Sequence, residues 1–246
     1  LQVSRGQVAY HETQFKFGFN PDIDNSLETV WAEGGLYSYL TSATVLKISS
    51  SSANDTSAGT GARTITISGL DANYGEISES VTLNGQTAVN TTQSFLRVFR
   101  MIVDTAGSGG QNAGVIYAGT GTVTSGVPAN KYGTIAVGDN QTLMCFWTVP
   151  RGYTAYLYQV DISMNTEVAN KYGTVSLVAR PEGGAFNTKD KFVLSQDIIH
   201  QEFKHPIKFA EKTDLEVRAI ASSSNADLAV SAGLDIVYIQ NRPYPE

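Results

Sequence analysis

Along most of this chain hydrophobic and polar positions alternate with period two. Leu215, Val217 and Ala219 are interleaved with Asp214, Glu216 and Arg218, and Val175, Leu177 and Ala179 with Thr174, Ser176 and Arg180. Such alternation predicts strands with one buried and one wet face. Two further runs, residues 95–103 and 143–147, are apolar on both faces and rich in β-branched and aromatic residues, so covered central strands are expected there. Asn84-Gly85, set between residues 80–83 and 86–89, predicts a hairpin, because a type I′ turn needs positive φ at both central residues. Pro150-Arg151-Gly152 separates residues 143–149 from 153–163 in the same way. One helix start stands out: Asp24 or Ser26 as N-cap, Leu27, Val30 and Trp31 on one face, and Gly34-Gly35 as the stop.

The Ser- and Gly-rich run at 49–64 lies between a strand expected around 45–48 and another around 64–68. A phosphate cradle needs a helix N-terminus after the glycine loop, and no helix follows, so an exposed inter-strand loop is expected. The glycine clusters at 107–110 and 119–121 read alike. The predicted fold class is all-β: two β-sandwich or jelly-roll-like units with an N-terminal arm carrying one short helix. The arm spans 1–40, a first β unit 41–126, and a jelly-roll-like β-sandwich 127–246, whose strand-like runs recur every ~8–12 residues. Phe15, Phe17, Phe19 and Trp31 give the arm aromatics that need a surface to pack on. The hexapeptide Ala-Asn-Lys-Tyr-Gly-Thr occurs at 129–134 and 169–174 without repeating flanks, which points to similar turn-to-strand chemistry rather than a solenoid.

Composition narrows the function classes. In 246 residues, 41% are hydrophobic and 16% charged, a globular balance, and no apolar run approaches the ~20 residues that cross a bilayer. A soluble chain with no membrane partner is expected. A net charge of −6 argues against nucleic-acid binding, which neutralises phosphates with clustered Lys and Arg. The densest basic region, 189–212, is interleaved with Asp190, Asp197, Glu202 and Glu211 and reads as a mixed-charge solvated surface. Cys145 is the one cysteine, so no intrachain disulfide forms, which fits assembly in a reducing cytoplasm. Residues 1–10 show neither a basic n-region nor an apolar h-region. The sequons at Asn54, Asn90 and Asn140 are expected to be chance matches.

Catalytic chemistry finds little to hold on to. His11, His200 and His205 form no HExxH pattern and read as surface or interface histidines. Cys145 lies in an apolar run, where a thiol is a small buried hydrophobe. No Gly-x-Ser-x-Gly elbow occurs. Asp22, Asp24 and Glu28 offer calcium-type oxygens but lack the EF-hand's glycine and final glutamate, so helix capping is the preferred reading. Glu76 and Glu79 fall on opposite strand faces and are not favoured as a hydrolytic pair, which only their separation in space could establish. The chain is therefore expected not to be an enzyme and to carry no metal or cofactor. Tyr156 and Tyr158 share one strand face; they either fill a sandwich edge or stack on a glycan.

Several stretches resemble a family of tailed-bacteriophage virion structural proteins. They are Lys16-Phe17-Gly18 with Asn20-Pro21-Asp22-Ile23-Asp24, Val30-Trp31 with Gly34-Gly35, Ser51-Ser52-Ala53-Asn54-Asp55-Thr56, Gly59-Thr60-Gly61-Ala62-Arg63-Thr64, Gly69-Leu70-Asp71 and Asn84-Gly85. The likeness covers residues ~15–165 best and the remainder only in its β pattern. It implies a place in a virion assembled in the host cytoplasm. One expectation is a capsid decoration or cement protein docking Phe15, Phe17, Phe19 and Trp31 on the major capsid protein or other virion proteins. The alternative is a tail-fibre, head-fibre or baseplate adhesin with Tyr156 and Tyr158 stacking on a host glycan. Either would be a homo-oligomer, and the resemblance suggests a trimer.

Overall fold

The computed structural model describes residues 2–224 and 227–241, and in them every regular element is a strand. The chain divides into two compact units, one built from Leu1–Leu36 with Cys145–Glu246 and the other from Tyr37–Met144. The expected division after residues 40 and 126 falls instead after 36 and 144. The segment read as an arm contributes a 13-residue strand to the first unit's sheet.

In the first unit one antiparallel sheet runs in the order β1 (His11–Ile23), β16 (Leu228–Gln240), β11 (Tyr153–Thr166), β14 (Ile198–Phe209). The second sheet runs β10 (Phe146–Thr148), β15 (Asp214–Ala221), β12 (Gly173–Arg180), β13 (Asn187–Leu194), with the two-residue β2 (Glu28–Thr29) also on β15. The alternation read at Leu215, Val217, Ala219 and at Val175, Leu177, Ala179 corresponds to buried positions of β15 and β12. Strand β15 is buried on its polar side as well. Glu216 accepts from Thr29 Oγ1 and pairs with Arg218 at 2.9 Å, and Asp214 pairs with Arg180 at 2.5 Å and accepts from Thr148 Oγ1. The Phe186 ring lies 4.5 Å from the Arg180 guanidinium and 4.1 Å from that of Arg218.

In the second unit the sheets run β6 (Val89–Phe95), β3 (Thr44–Ser50), β8 (Ile116–Thr124), β9 (Val127–Ile135) and β5 (Glu76–Thr82), β4 (Ala62–Leu70), β7 (Arg97–Ala106). Leu46 and Ile48 of β3, Ile65 and Ile67 of β4, Phe95, Met101 and Ile116 join one core cluster drawn from both sheets.

Four expectations are corrected by this topology. The helix at 24–34 is absent among the described residues. Glu28 is buried, and its carboxylate accepts from the Asp24 and Gly35 N–H groups and from Asn20 Nδ2 at 2.8–3.0 Å, while Val30 N–H donates to Val217 O. Bonds to β15 and a folded-back carboxylate outcompete a helix too short to stand alone. Asn84-Gly85 does turn, with Gly85 at φ 58° and Thr87 N–H donating to Asn84 O, but the flanking strands β5 and β6 belong to different sheets. Residues 150–152 likewise carry the chain from β10 in one sheet to β11 in the other, and the run at 95–103 breaks at Leu96 between β6 and β7. The turn chemistry is local; the partner strand is chosen by packing.

The stretch 49–64, expected to be an exposed loop, overlaps the ends of β3 and β4, and the connection between them is exposed only in part because it is pinned from within. Asp55 is fully buried and accepts from Ser50 Oγ and from the N–H groups of Ala62, Ala113 and Gly114 at 2.6–2.9 Å. A Cβ on Gly61 would stand 2.1 Å from Asp55 Oδ1, so the chain can wrap this carboxylate only with glycine there.

Candidate functional site

Strand β1 inverts the arrangement its hydrophobicity suggests. Lys16, Gly18 and Asn20 face inward, Lys16 only 1% exposed, whereas Phe15, Phe17 and Phe19 face outward. Gly18 explains part of the inversion. A Cβ there would meet Cys145 N at 2.3 Å and Val30 O at 2.4 Å, so β1 passes directly over backbone at that point. Phe15 is 48% exposed, Phe19 36%, and Phe17 half-buried. The Phe15 and Phe17 rings stack with centroids 5.6 Å apart, and Phe15 covers the bare backbone of Gly233, where a Cβ would lie 3.1 Å from the ring.

The registers set three rows across the outer face of this sheet. Phe15 lies beside Asp235, Gln159 and Glu202; Phe17 beside Gly233, Asp161 and His200; Phe19 beside Ser231, Ser163 and Ile198. An aromatic column on β1 thus flanks a polar strip on β16 and β11. In that strip His200 Nδ1 lies 2.6 Å from Asp161 Oδ1, Gln159 Nε2 donates to Asp161 Oδ2, and Ser163 and Ser231 hydroxyls are 2.6 Å apart. Burial pushes the Asp235 carboxyl up, Asp161 adds to this, and His200 opposes it.

Tyr158 belongs to the same surface through a β-bulge. The registers of β11 with both β14 and β16 step from Leu157 to Gln159, leaving Tyr158 without a cross-strand partner in either. Tyr158 is exposed and Tyr156 half-buried, and Tyr158 lines a hollow of about 370 Å³ with Phe15, Thr13, Gln14 and Asp235. The structure therefore brings Phe15, Phe17, Phe19 and Tyr158 to one face. Trp31 is not among them: it is 4% exposed, packs edge-on to Phe146 at 6.3 Å, and donates from Nε1 to Gly34 O. Asp235, Gln159 and Asp161 were not singled out in the sequence. The only local signal for them is alternation on β16 and β11, which does not reveal that two distant strands are neighbours.

Other candidates fall elsewhere. Cys145 is fully buried and its thiol is pushed up to about 12, chiefly by desolvation. Glu79 accepts from the N–H groups of Thr92 and Gln93. Asp22, Asp24 and Glu28 line a separate hollow of about 340 Å³, where Glu28 is already engaged by backbone donors. Among the described residues no group of three or more His, Cys, Asp or Glu side chains is arranged to hold a metal ion, and no helix is long and apolar enough to cross a membrane.

No protein-family model matches the sequence, and no curated protein matches it. Among solved structures, the chain aligns with infectious bursal disease virus, Gt strain, at 11% identity, covering 96% of this chain and 74% of that one with a TM-score of 0.26. The VP2 subviral particle of the same virus aligns at 11% identity over 97% and 74%, TM-score 0.26. The mosquito-larvicidal Cry4Aa toxin of Bacillus thuringiensis aligns at 10% identity over 74% and 43%, TM-score 0.21. TM-scores this low do not establish a common fold.

Proposed function

We propose that this chain is a structural protein of a phage virion that works by docking rather than catalysis, in the role of a capsid decoration protein. The observation that carries the docking reading is the inversion of β1. Burying Lys16 and Asn20 while turning three phenylalanines outward sacrifices apolar burial within the fold, and a clustered exposed aromatic patch is the usual mark of a partner surface. The motif resemblance supplies the virion. In this reading the Phe17 and Phe19 end of the face, continued by Ile198, is laid against a capsid subunit.

The test is the protein's abundance in purified virions relative to the major capsid protein, before and after tails are removed. A ratio near one that stays with the heads is expected. A low ratio that leaves with the tails would overturn the decoration role and favour the adhesin reading, to which the hollow between Phe15 and Tyr158 lends specific support.

A further inference from the structure

The hollow at the other end of the face combines features that the docking role does not need. Its walls include Phe15 on edge strand β1 and the bulged Tyr158 on β11, and Ser4, Thr13, Gln14 and Asp235 also line it. A bulge is a device that re-aims a side chain, and here it brings a second aromatic ring to the hollow that Phe15 lines. Asp235 is half-buried between them, and no described residue donates a hydrogen bond to its carboxylate. A half-buried carboxylate without a protein donor, in a concavity at the small end of ligand-site volumes, is an acceptor held ready for something else.

The chemistry of the lining selects the ligand class. No Lys, Arg or His lines the hollow, the neighbouring His200 is engaged by Asp161, and the one charged lining residue is Asp235, so an anion would meet a like charge with no cation to offset it. A purely apolar ligand would leave the Asp235 carboxylate and the Ser4 and Thr13 hydroxyls without a partner. A ring with one C–H face and several hydroxyl donors answers both requirements: the face lies on an aromatic ring and the hydroxyls donate to the carboxylate. We propose that this hollow is a saccharide subsite that takes a neutral pyranose residue between Phe15 and Tyr158, with Asp235 accepting from its hydroxyls. The assignment goes beyond the virion role and does not depend on it, because it concerns the purified chain.

The purified full chain is applied to an array of neutral and anionic oligosaccharides, and hits are confirmed by saturation-transfer NMR with methyl pyranosides. Binding to neutral glycans is expected, weakened about tenfold or more by Tyr158→Ala and by Asp235→Asn, and unchanged by Val137→Ser in the other unit. Asp235→Asn is isosteric and keeps the test meaningful should Tyr158→Ala unfold. Absence of neutral-glycan binding, binding confined to anionic glycans, or binding that survives both substitutions would each overturn the proposal. None of these results alters the virion abundance ratio, so the two proposals fail independently.

Discussion

Asp55 shows how one side chain can organise a loop that composition alone marks as unstructured. Its two oxygens accept three backbone N–H groups and one hydroxyl, which ties residue 62 and residues 113–114 to a single buried point. Replacing it with alanine leaves those donors buried without an acceptor, each loss costing about 1–3 kcal/mol with partial relief from water. Asp55→Ala is therefore expected to destabilise the protein by roughly 3–5 kcal/mol, measured as the fall in unfolding free energy in urea. A change below about 1 kcal/mol would show that the carboxylate is not the organiser. The sequence marks the loop through its Ser and Gly content, but Asp55 is one polar residue among many there. Nothing local tells it apart, because its partners at 113 and 114 are nearly sixty positions away.

At the scale of elements, β1 is where local pattern and structure part. Periodicity identifies Phe15, Phe17 and Phe19 as one face of a strand; it cannot say that this face is the outer one. That decision rests on Gly18, whose missing side chain lets β1 cross the backbone at Cys145 and Val30. The arrangement makes a paired prediction. Phe19→Ser should change stability by less than about 0.5 kcal/mol while weakening attachment to capsids in a sedimentation assay. Trp31→Ala, in the core, should cost about 3–5 kcal/mol in the same urea experiment. If Phe19→Ser destabilised as strongly as Trp31→Ala, the phenylalanine column would be structural and the docking reading would lose its support. The repeated hexapeptide behaves similarly at this scale. Gly133 in β9 and Gly173 at the start of β12 each face a methionine methyl, Met101 Cε and Met164 Cε, so the shared glycine reflects shared packing. Only the second copy contains a left-handed residue, Asn170 at φ 60°.

For the molecule as a whole, the two units differ in connectivity. Tyr37–Met144 is continuous in sequence and carries its own core cluster, whereas the other unit is assembled from chain on both sides of it. Residues 37–144 expressed alone should thus fold cooperatively, with a single urea transition and near-ultraviolet dichroism from its packed tyrosines. A broad, non-cooperative transition would show that this unit needs the rest of the chain. Strand content and the presence of a loop between β3 and β4 follow from residue order alone, because side-chain alternation and turn chemistry act over a few residues. Which sheet each strand joins, which face of β1 meets solvent, and which residues gather around Asp235 are settled only in the tertiary structure. Those choices rest on backbone pairings between positions as far apart as Phe15 and Asp235, where the energy of one contact depends on packing that no short window of sequence contains.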